Sequence, residues 1–150
     1  MVRMLLVFLL SFMLAPLPIT SVSAVQPEIE VWKSPSCDCC INWVKHLEDN
    51  GLTVKVQDVP SATLDRIKRQ AGITDKLASC HTGKIDGYVI EGHVPAADIK
   101  RLVSEKTDAA GLTVPGMPVG SPGMEVGNER EPYEVLLLKK DGTTEAFAKY

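Results

Sequence analysis

The chain has 150 residues, 45% of them hydrophobic, with 16 Lys and Arg against 19 Asp and Glu and a net charge of −3. That length suits one compact domain with a modest core. A mildly acidic chain without a basic tract excludes electrostatic capture of nucleic acid.

The N-terminus reads MVRMLLVFLLSFMLAPLPITSVSA: one positive charge at Arg3, an apolar run from Met4 to Leu14, then Val22-Ser23-Ala24. This is the pattern of a cleaved signal peptide over 1–24. The run is shorter than the ~20 apolar residues that span a bilayer, and Pro16 and Pro18 interrupt it. The residue after the cut is Val25, so nothing points to a lipid-modified N-terminus. The expected mature domain is therefore 25–150, periplasmic, with a net charge of −4 once Arg3 is removed. No later segment is apolar enough over that length to cross a membrane.

Within 25–150, "IEVWK" (29–33) alternates and predicts a strand. Ser34-Pro35-Ser36 breaks it, and a helix is expected from about Asp38 to Asp49, with Ile41, Val44 and Leu47 on one face and Gly51 as its left-handed end. "LTVKVQDV" alternates strictly, which predicts a half-buried strand with Leu52, Val54 and Val56 inward. A β-α-β unit of this length makes its strands parallel. Ser61 is placed to cap a second helix over 62–71, with Leu64, Ile67 and Ala71 inward and Gly72 at its end. A strand is expected near Tyr88–Ile90, and Pro95 opens a helix carrying Ile99, Leu102 and Val103. Residues 107–132, rich in Gly and Pro, predict a long functional loop. "EVLLLKKDGTTEAFAKY" predicts a hairpin turning at Asp141-Gly142. The sum is an α/β, thioredoxin-like layer: β-α-β plus a closing hairpin, with the helix after Pro95 as an insertion and no final helix. Met117-Pro118 falls where that fold usually keeps a cis-proline.

All four cysteines, Cys37, Cys39, Cys40 and Cys80, lie in the mature part, where an oxidising compartment leaves thiols unprotected. Cys37 and Cys40 have the Cys-x-x-Cys spacing at a helix start, where the helix dipole favours thiolate. On a regular helix each residue turns about 100°, so three thiols at 37, 39 and 40 do not converge on one ion. They converge if Cys37 lies in the turn before the helix, or if thiolates bridge several ions. A purely structural disulfide pattern is open to Cys37–Cys40 with Cys39–Cys80; a Cys39–Cys40 bridge is strained. A four-cysteine zinc site usually draws on two separated pairs.

Two of five methionines survive signal removal, Met117 and Met124, both in "VPGMPVGSPGME". Soft thioethers beside thiolates select Cu(I). His81, directly after Cys80, is a candidate imidazole ligand; His93, in "EGHVP", is a secondary one, and His46 reads as polar surface. The rival chemistry is thiol–disulfide exchange at Cys37 and Cys40.

"SPSCDCC", "ASCHTG", "DGYVIEGHVPAADIKRLV" and "VPGMPVGSPGMEVG" together resemble the CopG-type periplasmic copper-resistance proteins, formerly known only as a domain of unknown function. The resemblance covers nearly all of the mature chain. It implies a thioredoxin-like fold, a cysteine-bridged multinuclear copper site, and a role in interconverting Cu(I) and Cu(II). It also implies Cys37, Cys39, Cys40 and Cys80 as cluster ligands, with His81, Met117 and Met124 nearby. The expected partners are copper ions and other periplasmic copper-resistance proteins.

Overall fold

The computed structural model describes residues 27–150, so the expected signal peptide lies outside the described residues. Strand β1 (Glu28–Lys33) buries alternate residues Ile29, Val31 and Lys33. Helix α1 (Asp38–Asp49) follows the Ser-Pro-Ser break and buries Cys40, Trp43, Val44 and Leu47. The i, i+3, i+4, i+7 stripe thus starts at Cys40 and takes in Trp43; Ile41, expected on that face, is 50% exposed.

Strand β2 (Thr53–Asp58) pairs parallel with β1, as the β-α-β pattern predicts. It is an edge strand. Leu52, just before it, is buried and Val54 is half-buried, but Val56 is 41% exposed. Helix α2 (Ser61–Gln70) takes Ser61 as its first residue, with Pro60 rather than Ser61 in the cap position. Its buried residues are Leu64 and Lys68, while Ile67 and Ala71 are only half-buried.

Strands β3 (Thr82–Ile85) and β4 (Tyr88–Glu91) form an antiparallel hairpin through Asp86-Gly87, both with positive φ. Such a two-residue turn matches the right-handed twist of the strands it joins. The sequence reading identifies β4 and misses β3. Helix α3 (Ala96–Glu105) connects β4 to a parallel neighbour, β5 (Gly111–Thr113). That short strand lies inside the segment expected to be loop throughout. Strands β6 (Glu134–Leu138) and β7 (Thr144–Lys149) are the expected closing hairpin.

The seven strands make one mixed sheet in the order β2-β1-β3-β4-β5-β6-β7. Neighbouring residues on a strand face opposite sides. Ile90 and Leu137 join the main core with Trp43 and Leu47 of α1 and Ile99 and Leu102 of α3. Val89 and Leu138 join a second cluster with Ile73. Both faces are therefore covered, in the α/β manner of a thioredoxin-like layer. Trp43 ties the main core to the site: fully buried, it donates from Nε1 to the Val94 carbonyl at 2.9 Å, locking α1 against the turn between β4 and α3.

Candidate metal centre

Cys37 occupies the cap position of α1 with extended φ and ψ of −93° and 93°, outside the helix. This is the arrangement that lets its sulfur turn towards the others. Cys37 and Cys40 are joined as a disulfide, and Cys39 and Cys80 are free thiols. Cys39 Sγ lies 3.4 Å from Cys37 Sγ and 3.7 Å from Cys80 Sγ. One sulfur from each of the four cysteines falls within 4.8 Å of the others.

A second donor group shares Cys80. Its sulfur lies 3.3 Å from His81 Nδ1 and 3.1 Å from His93 Nε2. His93 reaches it through strand register. The β3–β4 pairing sets Thr82 opposite Glu91, and Gly92 donates to the His81 carbonyl at 3.1 Å. Continued two residues beyond Thr82–Glu91, that register sets Cys80 opposite His93. His93 Nδ1 lies 2.8 Å from the Pro122 carbonyl, which can only accept. Nδ1 therefore carries the proton, and Nε2 turns its lone pair towards Cys80, the usual way an imidazole is fixed for a metal.

His81 is fully buried, its ring 4.2 Å from Trp43 and 5.0 Å from His93, edge-on to the latter. Its Nε2 is the one buried side-chain nitrogen or oxygen without a partner among the described residues. Burial pushes the His81 imidazole well below its ordinary range, helped by the neighbouring His93 and Lys68; burial likewise lowers His93. Both rings are neutral at pH 7, the form that binds metal. Burial, then the adjacent Cys39 thiol, pushes Cys80 up to about 12. Cys80 therefore keeps its proton until a cation replaces it.

A buried polar network holds the Cys80 loop from behind. Lys68 Nζ donates to Glu91 Oε1 at 2.5 Å and to Thr82 Oγ1 at 3.0 Å. Thr82 Oγ1 donates to Glu91 Oε2 at 2.7 Å, and the Ser79 amide donates to Glu91 Oε1 at 2.7 Å. Glu91 is fully buried, and burial raises its carboxyl against the pull of Lys68. Its acceptor role fixes the residue next to Cys80.

The methionine loop is stitched to the same loop and to α1. Gly116 donates to the Ala78 carbonyl at 3.0 Å, and Ser79 Oγ donates to the Gly116 carbonyl at 2.5 Å. Gly123, with φ of +86°, packs so tightly that a Cβ would stand 2.7 Å from both the Cys39 carbonyl oxygen and the Trp43 nitrogen. Met124 is half-buried, and Met117 is 51% exposed. The Met117–Pro118 peptide is trans, since no cis peptide occurs among the described residues; the expected cis-proline at that place is corrected.

The structure thus brings together Cys37, Cys39, Cys40, Cys80 and His81, adds His93 as a full member, and sets the two methionines in the loop alongside. His46 is not bland surface. Half-buried, its Nε2 accepts the Ala96 amide at 3.1 Å at the start of α3, outside both donor groups. Lys68 and Glu91 carry no sequence motif, and only their meeting in space reveals them.

Thiols and neutral imidazoles packed this closely suit a soft metal ion, and a sulfur shared by two donor groups suits bridging. Fold and site define a thioredoxin-like α/β protein whose clustered cysteines and histidines could hold a soft metal ion. The chain is similar to two solved structures of copper resistance protein CopG. One, form 2, is 45% identical over 84% of this chain and 99% of its own, with a TM-score of 0.78. The other, form 1, is 45% identical over 82% of this chain and 96% of its own, with a TM-score of 0.76. Residues 77–124 match a family model described as a protein of unknown function, DUF411. A comparison with curated proteins gave no match. The chain belongs to the CopG family of copper-resistance proteins, and its role is copper-related.

Proposed function

We propose that residues 25–150 form a periplasmic domain, exported by a signal peptide over 1–24, that binds copper and supports copper tolerance. Cys37, Cys39, Cys40 and Cys80 bridge several Cu(I) ions, with His81 and His93 as imidazole donors and Met117 and Met124 as thioethers at the margin. The observation that carries this reading is the meeting of all four sulfurs, with Cys80 common to the thiol group and to the imidazole group. Bridging thiolates let few ligands hold several ions, and they occupy the coordination positions through which Cu(I) reacts. Imidazole is the better donor for Cu(II), so His81 and His93 beside Cys80 support interconversion of the two oxidation states at one place. Other periplasmic copper-resistance proteins are the expected exchange partners.

The second reading, thiol–disulfide exchange with outside proteins, is favoured by the Cys37–Cys40 disulfide. Cys39 separates the two, because it lies outside the Cys-x-x-Cys pair. Anaerobic titration of the reduced domain against a Cu(I) chelator should show more than one tightly held ion per chain, and Cys39→Ser should lose copper. Full copper binding and tolerance in Cys39→Ser, with unchanged disulfide exchange, would favour the second reading.

A further inference from the structure

The four cysteines fall into two unequal pairs. Cys37 and Cys40 are joined, while Cys39 and Cys80 stay free at 3.7 Å. Both imidazoles lie beside Cys80, in a donor group that does not include the disulfide sulfurs. Oxidation of the α1 pair therefore leaves a complete smaller donor set standing: the Cys39 and Cys80 sulfurs, His93 Nε2 and His81 Nδ1. A Cys-x-x-Cys pair at a helix N-terminus is a two-electron couple. Cu(II) is a one-electron oxidant of thiolates.

We infer that Cys37 and Cys40 are the chain's own electron donors to Cu(II), while Cys39, Cys80 and His93 retain Cu(I). This rests on the copper-binding reading above and names the electron source that reading lacks. Two Cu(II) ions each take one electron, one from each sulfur of the pair. The Cys37–Cys40 bond forms, the two thiol protons pass to solvent, and two Cu(I) result. One Cu(I) stays on Cys39 and Cys80, whose thiol protons it displaces to solvent, with His93 Nε2 beside it. The other leaves, because the sulfurs that would hold it are now bonded to each other. A dithiol reductant resets the pair by attack at Cys37, which is half-buried, whereas Cys40 is fully buried. Its two thiols become a disulfide, and the electrons and protons return to Cys37 and Cys40.

The test is stoichiometric. Reduced, desalted domain is mixed anaerobically with two equivalents of Cu(II); Cu(I) is read with a chromogenic chelator, and thiols are mapped by alkylation and mass spectrometry. The expected result is two Cu(I) per chain, a Cys37–Cys40 linkage, and alkylated Cys39 and Cys80 after copper is stripped. The double variant Cys37→Ser/Cys40→Ser should still hold one supplied Cu(I) but lose at least tenfold in the rate of Cu(II) reduction. Cys39→Ser/Cys80→Ser should reduce two Cu(II) and retain none. A Cys39–Cys80 linkage, mixed linkages, or wild-type reduction rates in Cys37→Ser/Cys40→Ser would overturn the inference and leave the copper-binding reading intact. Failure of the reduced wild-type domain to bind supplied Cu(I) would instead overturn that reading itself.

Discussion

The pair of Lys68 and Glu91 offers a way to separate folding from copper binding. Both side chains are almost wholly buried, and Glu91 accepts from Lys68 Nζ at 2.5 Å, Ser79 N at 2.7 Å and Thr82 Oγ1 at 2.7 Å. Glu91→Gln keeps the shape but leaves the Lys68 ammonium without a counter-charge. Breaking one side of a buried pair costs about 3–5 kcal/mol, a large share of the roughly 5–15 kcal/mol that holds a domain of this size together. With a urea m-value of about 1–3 kcal/mol per molar, the unfolding midpoint of the metal-free domain should fall by at least about 1 M. Replacing both partners with apolar residues, as in Lys68→Met/Glu91→Leu, is usually neutral or stabilising. That double variant should regain most of the lost stability. It still removes the acceptor of the Ser79 amide, next to Cys80, and loss of such outer contacts typically weakens metal binding about 10–100-fold. Urea unfolding and anaerobic Cu(I) competition on the same samples read the two effects apart. Wild-type stability in Glu91→Gln would refute the buried-pair reasoning. Wild-type Cu(I) affinity in the double variant would refute the claim that Glu91 positions Cys80.

Gly123→Ala places a methyl 2.7 Å from backbone atoms of Cys39 and Trp43 at a φ of +86°. The left-handed conformation costs about 1–2 kcal/mol and the overlap a further ~1–3 kcal/mol, so denaturant titration should show a combined loss and Cu(I) affinity should drop as the loop lifts from α1. Because burial holds His81 and His93 below their ordinary values, the unfolded chain binds protons that the folded chain refuses as pH falls below about 6.5. The metal-free domain should therefore lose up to about 1.4 kcal/mol per pH unit for each ring in that window, with no such loss above it, and a flat unfolding profile between pH 7 and 5 would contradict buried neutral imidazoles. Met117→Leu and Met124→Leu should each change stability by less than about 1.5 kcal/mol while weakening Cu(I) binding or shifting its potential; unchanged copper behaviour in the double variant would return both to packing.

Local periodicity made much of this fold legible. Strict alternation in "IEVWK" and the break at Ser34-Pro35-Ser36 yield β1 and the start of α1, and their spacing yields the parallel pairing with β2. Ile41 and Trp43 show the limit: α1 has apolar residues on more than one face, and only the packing partner decides which is buried. Strands β3 and β5 were illegible for another reason. Each is four residues or fewer, and both contain glycine, so neither shows a run of alternation. The Asp86-Gly87 turn was nevertheless a readable signal. Pairing outward from it sets Ile85 against Tyr88 and, by the same register, Cys80 against His93. His93 could have been raised from a secondary candidate on that ground alone. The cysteine cluster was legible because its spacing is local, whereas the Lys68–Glu91 contact joins residues 23 apart on a helix and a strand.

The most direct test of the cysteine-bridged site is X-ray absorption at the copper edge on the reduced domain loaded anaerobically with Cu(I). A bridged multinuclear site predicts an edge typical of Cu(I), a first shell dominated by sulfur with an imidazole contribution, and a copper–copper scattering component that Cys39→Ser weakens. A first shell of nitrogen and oxygen, or a sulfur shell with no copper–copper component at full loading, would contradict it.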